Sequence, residues 1–161
     1  MTSYTTMDSP VGPLRLVADE AGLRRLEFHK DGFADAPADW REDARALREV
    51  SSQLAAYFAG RLKVFDFPLA PEGTPFQLQV WERLLEIPYG ETVSYGTLAA
   101  RIGNPAASRA VGLANGRNPI AIVIPCHRVI GSNGTLTGYG GGLPNKQKLL
   151  ALERGQIRLV G

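Results

Sequence analysis

The chain has 161 residues, of which 44% are hydrophobic and 21% charged, a balance that suits one or two small packed cores and excludes a disordered chain. Its net charge of +2 conceals a split: residues 1–73 hold 9 basic and 12 acidic groups and residues 74–161 hold 9 and 4, so only the second half is suited to meet an anion. One cysteine excludes an internal disulfide and points to a reducing, cytoplasmic setting; no basic-then-apolar leader opens the chain, and no run nears the ~20 apolar residues of a membrane span.

The first part reads as β-structure. Residues 12–19 and 23–28 are strand candidates separated by the turn Ala21-Gly22, and Tyr4 to Met7 suits a further strand. Residues 29–43 read as a loop. From Asp43, the apolar spacing of Leu47, Val50, Leu54, Tyr57 and Phe58 predicts a helix ending at Gly60. Leu62 to Leu69 suits one more strand, and Pro68, Pro71 and Gly73 mark a boundary.

The second part reads as mainly helical. Thr74-Pro75 starts a helix, with the hydroxyl as N-cap and proline in the first turn. Ser94 caps a short helix that runs to Ile102, with Gly103 closing it. A second short helix spans Ala106 to Asn115. The pair reads as a helix-turn-helix, although small residues also suit plain tight packing. Its second helix carries one long side chain, Arg109, and almost nothing able to read base edges. Ile120 to Ile124 is a buried apolar run that ends at Pro125-Cys126. A final helix spans Pro144 to Glu153.

From Thr92 to Leu152 the chain holds no Asp or Glu, and Cys126 lies inside that stretch beside His127. A buried structural thiol is one reading of Cys126; a nucleophile whose basic surroundings favour thiolate is the other. Neighbours on an extended segment point apart, so His127 would reach the sulfur through a water. Glu153, the first acid after the gap, is either a solvated helix-end charge or the group that orients His127. One Cys and two His lack metal-ligand spacing, so no metal site and no cofactor is expected. The glycine run at 138–142 lacks the ending of a phosphate loop and suits a flexible lid.

Pro125-Cys126-His127-Arg128-Val129-Ile130-Gly131, preceded by Arg109-Ala110-Val111-Gly112 and Asn118-Pro119, resembles the O6-alkylguanine-DNA alkyltransferase family. Thr137-Gly138-Tyr139, Lys146 and Leu149 to Glu153 continue the match, which is dense over 74–155 and loose earlier. The resemblance implies an α+β chain: a ribonuclease H-like α/β domain over 1–73, then a mainly helical domain over 74–161 carrying the helix-turn-helix. It implies irreversible, single-turnover transfer of an alkyl group from O6-alkylguanine in duplex DNA to Cys126, with the base flipped through the minor groove. His127 would be the base, Glu153 its orienting acid, Asn118 a brace for the turn, and Tyr95 the proton donor to the departing guanine. Arg109 would fill the vacated stack. Ser94, Ala106, Ala110, Gly112 and Arg128 would join it in contacting DNA. Tyr95, Val129, Tyr139, Gly140 and Gly141 would line the pocket. The glycines suggest a roomy site and extend the expected substrates to O4-alkylthymine. The expected partner is double-stranded DNA, met by a monomer, with cooperative binding left open and no role for a membrane. Zinc ligands carried by some members' N-terminal domains are absent. A non-catalytic lesion-binding module is the competing reading, against which the presence of Cys126 argues.

Overall fold

The structure is a computed structural model that describes residues 1–160; Gly161, the last residue of the expected second domain, lies outside them. The chain is α+β and forms two compact units, one of residues 1–71 joined by the tail 158–160, the other Glu72–Ile157.

In the first unit, β1 (Ser3–Met7), β2 (Leu14–Asp19), β3 (Gly22–Phe28) and β4 (Arg41–Glu42) form a mixed sheet in the order β3-β2-β1-β4. β1 and β3 flank β2 antiparallel, while β4 runs parallel to β1 within the segment expected to be loop. Gly22 is required at its place, since its φ is +141° and a Cβ would stand 2.6 Å from the Pro68 carbonyl oxygen. β2 is buried on both faces. Leu14 and Leu16 join Leu47, Leu54, Tyr57 and Phe58 in the core. On the other face Arg15 donates to Glu27 and to the Ala34 carbonyl, each at 2.6 Å, so its buried charge is paired. The helix α1 spans Arg48–Phe58, preceded by a 3-10 turn at Arg45–Leu47. Residues 62–69 form no strand; Leu69 makes only an isolated bridge to Leu23. Pro68, which lacks an N–H, interrupts any ladder there.

The second unit opens with α2 (Pro75–Leu84). Thr74 accepts from the Gln77 amide at 3.1 Å and Gln77 returns a bond to the Thr74 amide at 3.0 Å, a reciprocal capping box. Val80, Trp81 and Leu84 are buried. The Trp81 indole donates to the Ala114 carbonyl at 2.8 Å, which satisfies both groups in the core. The helix-turn-helix is α3 (Tyr95–Arg101) and α4 (Ser108–Gly116). Gly103, with φ +89°, turns the chain between them. The expected second helix is divided: Pro105–Ala107 is a 3-10 turn, and the α-helix begins at Ser108. Two short parallel strands, β5 (Val93–Ser94) and β6 (Val129–Ile130), pair Val93 with Val129 and Ser94 with Ile130. The final helix, α5, spans Leu143–Glu153. Among the described residues no helix is long and apolar enough to cross a membrane.

Candidate active site

Residues 120–129 are all buried, yet 120–125 is a turn, not a strand. Ile122 has φ +73°, a conformation that a β-branched residue resists. The turn is held closed by Ile124 N donating to Ile120 O at 2.9 Å and Cys126 N to Ile124 O at 2.8 Å. Asn118 braces it further, donating to the Ile124 carbonyl at 2.7 Å and accepting from the Ile120 amide at 3.0 Å. Cys126 to Arg128 then form a single 3-10 turn. Asn115, absent from the sequence-derived site, donates to the Cys126 carbonyl at 3.4 Å from within the core.

His127 and Glu153 meet inside the unit. His127 Nε2 lies 2.7 Å from Glu153 Oε2, and neither side chain is exposed. Arg128 completes the group: Nε donates to Glu153 Oε1 at 2.7 Å, Nη2 to Oε2 at 3.0 Å, and Nη1 to the Ile87 carbonyl at 2.7 Å. This corrects the expectation that Arg128 contacts DNA. Its guanidinium is buried, with three of its five N–H groups committed to a carboxylate and a carbonyl, so it faces the interior and not a phosphate on the surface. Sequence reasoning missed the role because it treated basic residues of the acid-free stretch as one surface. A single acid following a long acid-free run was the available signal, since a buried arginine needs a counter-charge.

The protonation states follow from burial and pairing. Burial alone would raise the Glu153 carboxyl, but the hydrogen bonds from His127 and Arg128 and the Arg128 charge outweigh it and hold it well below the usual range. Burial also pushes His127 below its ordinary value, against the pull of Glu153. The imidazole is therefore neutral, and Arg128 supplies the charge that keeps Glu153 ionised. A carboxylate only accepts, so His127 Nε2 carries the proton and Nδ1 presents a lone pair. Nδ1 is buried without a hydrogen-bond partner in the structure.

Cys126 departs from expectation. Burial pushes its thiol up to about 11, although an Asn118 hydrogen bond and the Lys146 charge pull the other way. Basic surroundings do not make a resting thiolate here, because desolvating the anion costs more than those neighbours return. Lys146 is itself wholly buried. Its ammonium donates to the Val129 carbonyl at 2.7 Å and to the Thr137 carbonyl at 3.2 Å. Burial lowers its pKa, opposed by attraction to Cys126.

The remaining site residues divide by environment. Tyr95 opens α3, half-buried, with its hydroxyl 2.6 Å from Thr137 Oγ1. The β5–β6 pairing brings it toward the Cys126 segment. Tyr139 has a buried hydroxyl; burial, then the charges of Cys126 and Glu153, push its pKa well up. Gly140 has open space where a side chain would stand. The Gly141 carbonyl accepts from Asn145 at 2.9 Å. Arg109, Ala106 and Ala110 are exposed. Ser94 is engaged in capping, accepting from the Thr97 amide at 3.0 Å. A Cβ at Gly112 would lie 3.8 Å from the Tyr95 ring, so this glycine's bare face meets a side chain of its own unit. Among the described residues no group of three or more His, Cys, Asp or Glu is placed to hold a metal ion.

Two family profiles match the chain. The one described as the ribonuclease-like domain of 6-O-methylguanine DNA methyltransferase covers residues 2–71, and the one described as its DNA binding domain covers 75–155. A methylated-DNA–protein-cysteine methyltransferase of Methanosarcina acetivorans is 59% identical over 151 residues, 93% of this chain and 97% of that protein. The Mycobacterium tuberculosis protein of the same description is 53% identical over 154 residues, 96% of this chain and 93% of its own. A crystal structure of the M. tuberculosis O6-methylguanine methyltransferase superposes with a TM-score of 0.90 at 52% identity, covering 98% of this chain and 95% of that one. The M. tuberculosis protein in complex with DNA gives 0.89 at 52% identity, covering 96% and 94%. With both domains matched in order and relatives above half identity across nearly the whole length, the chain belongs to the 6-O-methylguanine DNA methyltransferase family, the methylated-DNA–protein-cysteine methyltransferases.

Proposed function

We propose that this chain repairs O6-alkylguanine in duplex DNA by moving the alkyl group to Sγ of Cys126, once per molecule. The observation that carries the reading is the buried series Arg128, Glu153, His127, ending on an unpartnered Nδ1 one residue from the only cysteine. Such a series presents a neutral base whose other nitrogen is fixed, beside a thiol that needs its proton removed.

A bridging water takes the Cys126 proton and passes one to His127 Nδ1. The sulfur attacks the alkyl carbon, forming S–C as the C–O6 bond breaks. The electron pair of that bond enters the purine, and the Tyr95 hydroxyl protonates a ring nitrogen so that guanine departs neutral. The thioether resists hydrolysis, hence the single turnover. Asn118 holds the cysteine turn; Val129, Tyr139, Gly140 and Gly141 wall the pocket; the open space at Gly140 favours bulkier O6-alkyl groups and O4-alkylthymine as further substrates.

Access to a stacked base requires flipping, and α4 is suited to it. Its exposed positions are small apart from Arg109 and Leu113, so it can press into the minor groove while Arg109 fills the vacated stack. An open groove lined by Thr92, Ser94, Thr97, Arg101 and Ser132 suits backbone contacts, offering hydroxyls and one guanidinium. The unit beginning near residue 74 would thus bind double-stranded DNA, as a monomer and without sequence readout. A thiol nucleophile suits a reducing compartment such as the cytoplasm.

The test is the mass of the protein after incubation with a duplex containing O6-methylguanine. A gain of one methylene on the Cys126 peptide is expected, and an unchanged peptide refutes the proposal. Cys126→Ser should lose transfer and keep DNA binding.

A further inference from the structure

The Tyr95 hydroxyl lies 2.6 Å from Thr137 Oγ1, at the short end for two hydroxyls. Thr137 is also held through its main chain, since its carbonyl accepts from Lys146 Nζ at 3.2 Å, and the same ammonium donates to the Val129 carbonyl at 2.7 Å. One residue therefore joins the first turn of α3 to a buried cation on α5. Its backbone is fixed from inside the unit, while its exposed side chain reaches the phenol. An exposed threonine adds little to the core, so this bond is not required to hold the fold.

We propose that Thr137 is a positioning residue for the proton donor: its hydroxyl donates to Tyr95 Oη, aims the phenol and stabilises the negative charge that Oη gains as its proton leaves. The inference rests on Tyr95 being the donor in the transfer proposed above. A phenol that gives its one proton forward can only accept from behind. A threonine hydroxyl can supply that bond because it both donates and accepts. In the step itself the Tyr95 proton goes to the ring nitrogen of the departing base and the O–H electron pair stays on Oη. The Thr137 bond, neutral at the start, becomes charge-assisted at that moment and so strengthens in the transition state. Water would supply a less oriented substitute.

The experiment compares single-turnover transfer from an O6-methylguanine duplex by the wild-type protein, Thr137→Val, Thr137→Ser, Tyr95→Phe and the double variant Tyr95→Phe/Thr137→Val. Duplex affinity is measured alongside, and circular dichroism verifies folding. Thr137→Val should slow transfer about three- to tenfold, the size of one oriented hydrogen bond, with duplex affinity unchanged. Thr137→Ser, which keeps the hydroxyl, should recover most of that loss. In the Tyr95→Phe background the valine should cost nothing further, because the bond it removes is already gone. A Thr137→Val rate equal to wild type, a serine variant as slow as the valine, or the same slowing in the Tyr95→Phe background each overturns the Thr137 assignment alone. Absence of transfer by the wild-type protein overturns the functional reading, and the assignment with it.

Discussion

Arg128 holds Glu153 by two guanidinium nitrogens, Nε to Oε1 at 2.7 Å and Nη2 to Oε2 at 3.0 Å, with both side chains almost wholly buried. The paired geometry fixes the carboxylate plane, and that plane sets where Glu153 accepts the hydrogen bond that His127 Nε2 donates. Arg128→Met keeps much of the side-chain volume and removes the charge, leaving a buried carboxylate short of its counter-ion. A loss of about 3–5 kcal/mol is expected in urea unfolding. A change below about 1 kcal/mol would mean that the pair behaves as a surface contact.

Stability should fall with acid in two phases. The folded His127 pKa lies below its ordinary 6.5, so the unfolded chain takes up that proton first and stability declines as pH drops through 6.5. Glu153 is held below its ordinary 4.5, so its contribution is present above 4.5 and declines as pH drops further. Urea midpoints measured from pH 8 to pH 4 should be flat above 7, then fall. His127→Gln should remove the upper phase. A wild-type profile flat down to pH 5 contradicts the neutral, buried imidazole.

The resting thiol should be sluggish. With Cys126 pushed up to about 11, its thiolate fraction rises tenfold per pH unit through the accessible range. Alkylation by iodoacetamide, followed by mass, should rise log-linearly between pH 7 and 9.5. A plateau by pH 8 would show an activated thiol, and a levelling near about pH 9 an ordinary one; either contradicts the raised value.

Arg109→Ala should separate flipping from chemistry. The side chain is exposed on α4, outside the buried group that holds His127. Transfer from duplex DNA should slow by at least about tenfold, on the scale of the few kcal/mol that unstacking costs, while transfer from a free benzylated base stays near wild type. Equal slowing of both reactions removes the finger assignment.

The linear order of residues determined much of this protein by itself. Thr74-Pro75 starts a helix wherever it stands before an apolar face, because its hydroxyl and fixed φ act locally; Ser94 and Gly103 delimit α3 by equally local chemistry. The cysteine signature and its flanks were legible for the same reason, as spacing within one short stretch. Other features depend on which residues are brought together across the chain. β4 pairs only because β1 offers an edge to Arg41 and Glu42, which carry no strand signal of their own. Segment 62–69 has strand-like residues but a proline where a ladder would need a donor. Arg128, one more basic residue in an acid-free run, becomes an internal clamp because folding places it against a carboxylate 25 residues away. The Cys126 thiol rises because burial outweighs nearby positive charge, a balance that depends on desolvation and has no counterpart in charge counting. Local rules therefore determined the elements and the nucleophile, and tertiary packing decided the protonation states, since it alone sets which charges lose water and which find partners.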